Sequence, residues 1–323
     1  MIVYGHRVLR NDLRLAASYP PSPPLRILVS GSSGLIGSAL IPFLTTNGHR
    51  VARLVRAGNP AADGEVAWDP AAGWIHAEGL EDFDAVIHLA GEGIASWRWN
   101  AEKRARIRDS RARGTQLLCE ALASLKRPPR VLLSASATGY YGDRGALRVS
   151  ESAESGPGFL AQVCRDWEAA TRPAADKGIR VANLRFGIVL TPAGGLLAGL
   201  LPAFLLGLGG PLGAGTQVMS WVAMDDVLGA IQHALMTDLS GPVNVASPYP
   251  ETNDDFAHGL ASVLGRPAFL RVPDLLLQLL FGQMANETLL ASICVEPRKL
   301  VDTGYAFLFP RLETALQHLL GRT

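Results

Sequence analysis

The sequence has few cysteines and no excess of either charge. Among its 323 residues there are three cysteines, Cys119, Cys164 and Cys294, which lie far apart and form no CxxC pair. This pattern excludes a disulfide scaffold and a zinc cluster, and it predicts a reducing compartment, which we take to be the cytoplasm. Because 30 basic residues are balanced by 29 acidic ones, the net charge of +1 argues against a chain that coats nucleic acid or an acidic membrane.

Metal-ligand spacing, a secretory signal and a regular membrane helix are also missing. His88, His233 and His258 have no partner four residues away at the spacing of metal ligands, so no metal is expected. Charged residues interrupt the first 15 positions, where a secretory signal would place an apolar run. Residues 194–215 carry no charge, but their glycines and Pro202 disfavour a spanning helix. We expect a buried helix and a glycine-rich loop there, and no membrane partner.

A strand, a glycine-rich turn, a helix and a second strand follow one another near the start of the chain. Residues 25–30 form a short apolar run, typical of a buried parallel strand, and a helix over 38–47 precedes a strand over 49–55. Further strands are predicted at 85–90, 131–134 and 180–184, with helices over 102–125 and 160–177. This alternation predicts an α/β fold with a doubly wound parallel sheet.

The glycines between the first strand and the first helix have the spacing of a dinucleotide-binding loop. Gly31 permits a tight turn, Gly34 lets the backbone approach a pyrophosphate, and Gly37 allows close packing of the helix on the sheet. The start of the helix then offers free N–H groups to the phosphates. The cofactor-binding residues predicted here are Gly31, Ser33, Gly34, Leu35, Ile36 and Gly37. The alternative is a turn with a purely structural role.

The end of the second strand distinguishes between the two dinucleotides. An NAD site usually has Asp or Glu at this point, whereas this chain has Arg56 and no acid before Asp63. A guanidinium pairs well with a 2′-phosphate, so NADP is favoured over NAD, unless Arg56 is a solvated loop charge. Later strand ends add further candidates for the cofactor site, which are Trp68, Asp69, Leu89, Ala90, Gly91, Glu92 and Arg185. Asp69 and Glu92 are equally typical of a turn and of a surface acid.

The chain resembles the extended short-chain dehydrogenases/reductases, and more closely their atypical branch of epimerase family proteins, also called SulA-like nucleotide-sugar epimerases. The matching segments include GSSGLIGSAL, HLAGEGIASWRW, SASATGYYGD, FLAQVCRDWEAA and GLGGPLGAGTQVMSWVAMDDV, in order over nearly the whole chain. The resemblance implies a Rossmann-like NADP domain over 25–190 and a smaller C-terminal substrate lobe over 191–323, of which about 221–247 returns to the first domain. Residues 1–24 are similar to a tail and proline-rich linker left from a START-type domain.

Standard members of this superfamily use Ser or Thr, Tyr and Lys, in which the Lys lowers the pKa of the Tyr that moves a proton. Alignment on the helix FLAQVCRDWEA places Leu160 and Cys164 where the Tyr and Lys would stand, and neither residue type does that work. Ser136 resembles the strand-end serine, and Tyr140 and Tyr141 are the nearby phenols that could replace the missing proton donor. For all three, a purely structural role is an open alternative.

Together these features predict an NADP-dependent oxidoreductase or epimerase that acts on a small, nucleotide-linked substrate. The alternative is a non-catalytic NADP(H) sensor or interaction module, because the Tyr-x-x-x-Lys pair is missing. Residues 98–113 carry seven basic and two acidic side chains, but the basic ones fall on several helical faces, so no nucleic-acid partner is expected. A homodimer is an open expectation, and the substrate and the reaction direction are not determined by the sequence.

Overall fold

A computed structural model describes residues 10, 11, 13–15, 18, 19, 23–56, 64–95 and 98–322. The strands are β1 Arg26–Ser30, β2 Arg50–Arg56, β3 Glu65–Asp69, β4 Trp74–Ile75, β5 Ala85–His88, β6 Val131–Ala137, β7 Arg148–Val149, β8 Arg180–Phe186, β9 Ile188–Leu190, β10 Val218–Met219, β11 Trp221–Ala223, β12 Gly241–Val245, β13 Glu251–Thr252 and β14 Cys294–Val295. Eight of them form one sheet in the order β12-β8-β6-β5-β1-β2-β3-β4, parallel except for the β3–β4 pair. The strand order therefore reverses at β1, as in a doubly wound sheet.

Helices cover both faces of this sheet. They are α1 Leu35–Thr46, α2 Ala101–Ser124, α3 Phe159–Ala169, α4 Arg172–Asp176, α5 Gly195–Leu205, α6 Met224–Met236, α7 Asn253–Leu264, α8 Asp274–Phe281, α9 Arg298–Asp302 and α10 Leu312–Leu319. Side chains of β1 alternate between two cores: Ile27 packs with α1 and α6, whereas Leu28 packs with α2 and α4. This alternation, which follows from the period of two along a strand, makes the fold a three-layer α/β structure.

The predicted α/β fold with a doubly wound parallel sheet is confirmed, and the element bounds differ in detail. The first helix begins at Leu35 rather than at residue 38, so its first turn directly follows the glycine loop. The helix predicted over 160–177 is two helices, α3 and α4, and Pro173 stands in the first turn of the second one. Proline at the start of a helix costs little because its missing N–H would have no intrahelical partner.

The segment after β9 forms a helix, but the prediction that this helix is buried was wrong. Within α5 only Leu197 and Phe204 are buried, and Leu205 and Leu206 at its end are exposed. None of the helices in the described part of the chain combines the length and the apolar character that a bilayer crossing requires. Strand β12 pairs with β8 in the large sheet, so residues beyond 190 contribute to both parts of the fold. The division of the chain at residue 190 stays a prediction.

Part of the N-terminal segment is described. Residues 10, 11 and 13–15 are helical, while residues 1–9, 12, 16, 17 and 20–22 of the predicted tail and linker lie outside the described residues. Leu15 packs against the core that α1 and α6 share, and the Tyr19 hydroxyl lies 2.8 Å from Nδ1 of His233. The origin of this segment from a START-type domain stays a prediction.

A buried carboxylate fastens the segment before α10 to α6. Asp226, in the first turn of α6, accepts hydrogen bonds from the N–H groups of Leu308 (2.7 Å) and Phe309 (2.9 Å) and from the Tyr305 hydroxyl (3.0 Å). Burial raises the pKa of Asp226 to about 6 from its ordinary 3.8, although the three hydrogen bonds act in the opposite direction. The folded protein therefore binds this proton more tightly than the unfolded chain does.

The raised pKa of Asp226 predicts a pH-dependent contribution to stability. Because the folded-state pKa is the higher one, the contribution is complete below about pH 4 and is lost as the pH rises through about 6. We expect the difference in free energy of unfolding between the natural protein and Asp226→Asn to fall by about 2 kcal/mol between pH 4 and pH 7. Urea unfolding at several pH values measures it. The exposed Asp238→Asn is the control, and parallel pH profiles for the protein and Asp226→Asn would contradict the prediction.

Candidate functional site

The glycine loop after β1 lies directly against the backbone that follows β5. Gly31 has a φ of +67°, and a Cβ atom there would lie 2.7 Å from the carbonyl carbon of Leu89 and 2.8 Å from the amide nitrogen of Ala90. A Cβ on Gly37 would overlap the carbonyl oxygen of Gly31. No side chain fits at either position, so the first turn of α1 packs tightly on the end of β1.

The start of α1 presents its amides without competition from side chains. The N-cap residue Gly34 makes no side-chain cap, and no acidic residue stands in the first turn. Ser33 and Gly34 are exposed, while Leu35 and Ile36 are half-buried. A Cβ on Gly194 would lie 2.7 Å from Cδ1 of Leu35, so the first residues of α5 lie beside this loop. Such an uncapped helix start is suited to bind an anion.

Arg56 is exposed at the carboxyl end of β2, and the residues that follow it, 57–63, lie outside the described residues. The neighbouring candidates on β3 are engaged elsewhere. The Trp68 side chain is only 3% exposed and packs edge-on against the His88 ring at 5.9 Å. The Asp69 carboxylate accepts hydrogen bonds from the amides of Ala71 (3.0 Å) and Ala72 (3.1 Å), which is the turn-forming role. Cofactor contacts by Trp68 and Asp69 stay predictions.

Residues 89–92 form the opposite wall of the loop region. The Ser30 hydroxyl accepts hydrogen bonds from the amides of Leu89 (3.1 Å) and Ala90 (3.3 Å) and so fixes these two residues beside Gly31. Glu92 pairs with Lys103 of α2 at 2.7 Å, and this hydrogen bond lowers the pKa of the Glu92 carboxyl. Glu92 therefore joins the end of β5 to α2, and its contact with the cofactor stays a prediction.

The strand-end serine belongs to a buried ion-pair network. Ser136 is only 2% exposed, and its hydroxyl donates a hydrogen bond of 2.7 Å to Glu168 Oε1 on α3. Arg185 of β8 binds the same carboxylate with two nitrogens, Nε to Oε1 at 2.7 Å and Nη2 to Oε2 at 2.8 Å. Arg185 thus binds a carboxylate of the protein itself, and the network ties β6, β8 and α3 together. Its predicted contact with the cofactor stays a prediction.

The two adjacent tyrosines have different surroundings. Tyr141 is fully buried, and its hydroxyl accepts a hydrogen bond from Arg185 Nη1 (2.9 Å) and donates one to Asn244 Oδ1 (2.7 Å). Tyr140 is half-buried, and the guanidinium carbon of Arg185 lies 3.5 Å from the centre of its ring. Among the described residues no hydrogen bond engages the Tyr140 hydroxyl. Of the three candidate catalytic residues, Tyr140 is therefore the one with an uncommitted proton.

The positions expected for Tyr and Lys on α3 are occupied by side chains that pack. A Cβ on Gly139 would lie 3.4 Å from the Leu160 Cβ, and the Cys164 thiol points at the carbonyl oxygen of Ala137 at 3.7 Å. Burial raises the pKa of Cys164 to about 11, so this thiol stays protonated and is a poor nucleophile at neutral pH. Neither side chain offers the proton-transfer chemistry of a Tyr-Lys pair, and the alignment that places them at the Tyr and Lys positions stays a prediction.

Several residues near the site were missed by the sequence reasoning. Glu287, from the π-turn Ala285–Leu289, accepts hydrogen bonds from the amides of Phe159 (3.1 Å) and Leu160 (2.7 Å) and so caps α3. Lys103 and Arg111 reach residues 91 and 92 from α2. No local pattern marks these contacts, because each joins segments that are distant in the sequence; covariation between aligned relatives is the signal that would find them.

A cavity of about 380 Å³ lies between the loop that follows Tyr141 and the C-terminal part of the chain. Its lining includes the carboxylates Asp143 and Asp274, the hydroxyls of Thr216 and Ser292, and the side chain of Leu290. The volume is within the range of small-molecule sites, and the lining offers both hydrogen-bonding and apolar contacts.

Two family models match the chain. Residues 27–246 match the NAD dependent epimerase/dehydratase family, and residues 272–319 match a domain of unknown function, DUF1731. An epimerase family protein of Mycobacterium tuberculosis is 41% identical over 297 residues, which cover 92% of this chain and 98% of that protein. The human epimerase family protein SDR39U1 is 35% identical over 301 residues, which cover 92% of this chain and all of that protein.

Solved structures agree with these matches. The crystal structure of human SDR39U1 (isoform 2) with NADPH has a TM-score of 0.85 at 35% identity, and the match covers 93% of this chain and 100% of that one. A nucleoside-diphosphate sugar epimerase from Corynebacterium glutamicum has a TM-score of 0.80 at 34% identity, over 98% of this chain and 62% of that one. The predicted resemblance is confirmed: this chain belongs to the NAD dependent epimerase/dehydratase family, among the epimerase family proteins of the extended short-chain dehydrogenase/reductase superfamily.

Proposed function

We propose that this protein is an NADP(H)-dependent oxidoreductase or epimerase that acts on a small, nucleotide-linked substrate. The observation that carries the proposal is the glycine loop at the carboxyl edge of the sheet. Gly31 and Gly37 leave no room for a Cβ, and α1 begins with uncapped amides at the point where the strand order reverses. A pyrophosphate bound there receives N–H groups and the positive end of the helix dipole.

NADP(H) is favoured over NAD(H) by the charge at the end of β2. Arg56 is exposed where an NAD site usually has an acid, and a guanidinium binds the 2′-phosphate that only NADP carries. The structure of the 35% identical human relative was determined with NADPH, which supports the same cofactor here. A cytoplasmic location belongs to the proposal as well, because the three cysteines are buried and unpaired.

For the proton transfer we propose Tyr140. Its ring is held in place by Arg185, while the hydroxyls of Ser136 and Tyr141 are already committed to Glu168 and to Asn244. The substrate is proposed to occupy the cavity that begins two residues after Tyr141, where Asp143 and Asp274 can accept hydrogen bonds from hydroxyl groups. Carbonyl reduction, or epimerisation through a transient ketone, requires a hydride carrier and one proton donor beside the substrate.

A non-catalytic NADP(H) sensor is the second candidate. Leu160 and the protonated Cys164 thiol occupy the two positions at which standard members of the superfamily carry their proton-transfer pair. A protein that only binds NADP(H) retains the glycine loop and Arg56 and has no need of an uncommitted hydroxyl. The role of Tyr140 therefore separates the two functions.

The chain has an exposed apolar surface at the end of α5 and along α8. We call it the leucine face; it consists of Leu205, Leu206, Leu208, Phe269, Leu270, Leu275, Leu276, Leu279 and Leu280, which are 40–77% exposed. The Leu270 amide donates to the Gly209 carbonyl at 3.3 Å, which joins two of these segments. The face exposes on the order of 1,000 Å² of apolar area, more than monomers usually expose and enough for one side of a dimer interface. We propose a homodimer through this face.

Replacing Arg56 tests the cofactor assignment. We expect Arg56→Ala to weaken NADPH binding by about tenfold to a hundredfold and to leave NADH binding unchanged, because only NADPH loses a charge-assisted hydrogen bond. Fluorescence titration of the purified protein with each nucleotide measures both affinities. Arg53→Ala, on the same strand and also exposed, is the matched control. Equal NADPH affinity in all three proteins, or a preference of the natural protein for NADH, would contradict the assignment.

Replacing Tyr140 tests catalysis against sensing. With a carbonyl or nucleotide-linked compound that the protein reduces, Tyr140→Phe should lower kcat by about a hundredfold or more while the NADPH affinity stays unchanged. Tyr141→Phe, whose hydroxyl is buried in the network, should lower thermal stability and largely retain kcat. Turnover is followed by NADPH absorbance. Full turnover by Tyr140→Phe would exclude the phenol, and binding without turnover of any such compound would favour the sensor.

Charges on the leucine face test the dimer. The natural protein is expected to show twice its chain mass of 34.4 kDa by light scattering, and the double variant Leu275→Glu/Leu279→Glu the mass of one chain. Leu147→Glu, at a side chain that is 61% exposed outside the face, should leave the dimer intact. A monomeric natural protein overturns the proposal, as does a leucine face that binds phosphatidylcholine vesicles instead of a second copy.

A further inference from the structure

Arg111 is a positively charged side chain of α2 without a carboxylate partner among the described residues. Its Nη1 donates hydrogen bonds to two backbone oxygens, those of Glu92 at 2.9 Å and Ile107 at 3.2 Å. The nearby Glu92 carboxylate is paired with Lys103 at 2.7 Å and with Arg106 at 3.6 Å instead. Nε and Nη2 of Arg111 make no hydrogen bond within the described part of the chain. The charge is therefore held in place, and although the Glu92 carboxylate acts on it through space, no carboxylate of the described residues bonds to it directly.

The Arg111 guanidinium is enclosed between a glycine and an aromatic ring. A Cβ on Gly91 would lie 3.3 Å from its central carbon, and the same carbon lies 5.0 Å from the centre of the buried Trp167 ring. This burial lowers the pKa of Arg111, although an arginine at this depth remains charged at neutral pH. Partly buried charged donors without an acceptor are unfavourable for folding, so a bound anion would supply the acceptor that Nε and Nη2 lack.

The surroundings of Arg111 connect the glycine loop with α3. Gly91 follows Leu89 and Ala90, the two residues whose backbone contacts Gly31. On the other side, the Arg111 charge is close enough to Cys164 to oppose the rise of the thiol pKa. The guanidinium thus lies between the proposed pyrophosphate site and the α3 position that lacks a lysine.

We propose that Arg111 binds a phosphate oxygen of a diphosphate seated between the glycine loop and α3, through Nε and Nη2. The inference rests on the proposed function, which supplies two diphosphates, that of NADPH and that of a nucleotide-linked substrate. A guanidinium binds such oxygens with two parallel hydrogen bonds, and the enclosed position strengthens them. Arg111 also provides a fixed positive charge close to Cys164, the α3 position at which the resemblance predicts a lysine.

The experiment measures two affinities by titration calorimetry. The first is that of NADPH for the free protein, and the second is that of inorganic pyrophosphate for the protein saturated with NADPH. Arg111→Gln removes the charge, and we expect it to weaken one of the two affinities by tenfold or more. Arg113→Gln is the control, because Arg113 lies on the same helix, is 73% exposed and pairs only loosely with Asp109 at 3.8 Å. It should leave both affinities unchanged.

The two measurements identify the source of the diphosphate. A loss of NADPH affinity assigns Arg111 to the cofactor, and a loss confined to pyrophosphate assigns it to the substrate. Unchanged values of both in a folded Arg111→Gln overturn the inference. If Arg111→Gln does not fold, Arg111→Lys is measured instead, because it keeps the charge but loses the paired hydrogen-bond geometry. We expect Arg111→Lys to weaken one of the two affinities about threefold. Two unchanged affinities in Arg111→Lys overturn the inference. If the natural protein does not bind NADPH, the pyrophosphate titration is done on the free protein. Pyrophosphate binding that Arg111→Gln weakens would then refute only the proposed cofactor.

Discussion

The structure depends on one backbone contact at the carboxyl edge of the sheet. Gly31, at the end of β1, lies against Leu89 and Ala90 so closely that a Cβ atom is excluded. Because β1 and β5 are neighbours and the strand order reverses at β1, this contact closes one side of a crevice and leaves the first amides of α1 free on the other. The same closeness brings α5 against Leu35, so both halves of the chain meet at the loop.

The charged groups around this crevice come from several different elements of the fold. Helix α3 has Leu160 and Cys164 at the positions where the resemblance predicts Tyr and Lys, and it contributes Glu168 one turn after Cys164. That carboxylate binds Arg185 and Ser136, and the ion pair is kept from water, so the three elements that meet there are held rigidly. Ser136 and Tyr141 are therefore committed to structure, whereas the Tyr140 hydroxyl and Nε and Nη2 of Arg111 make no hydrogen bond within the described part of the chain.

The C-terminal residues both support and extend the crevice. Glu287 caps the first amides of α3 and so fixes the helix that carries Glu168. The carboxylate of Asp226 holds the segment before α10 against α6, on the far side of the sheet from α2. The side chains of the leucine face, in the same region, are 40–77% exposed, so their apolar area lies outside the core.

What the sequence by itself determined was local. The periodicity of apolar residues predicted five of the eight strands of the large sheet and the helices α1 and α2, and the glycine spacing predicted the loop, because both depend on residues within a few positions of one another. What only the tertiary structure decided was which side chains meet. Tyr141 and Asn244 are 103 residues apart, and Arg185 and Glu168 are 17 apart, so their contacts exist only once β6, β8 and β12 stand side by side. For the same reason an apolar run such as α5 gave no sign that its end would be exposed, since burial depends on what packs against a helix and not on its composition.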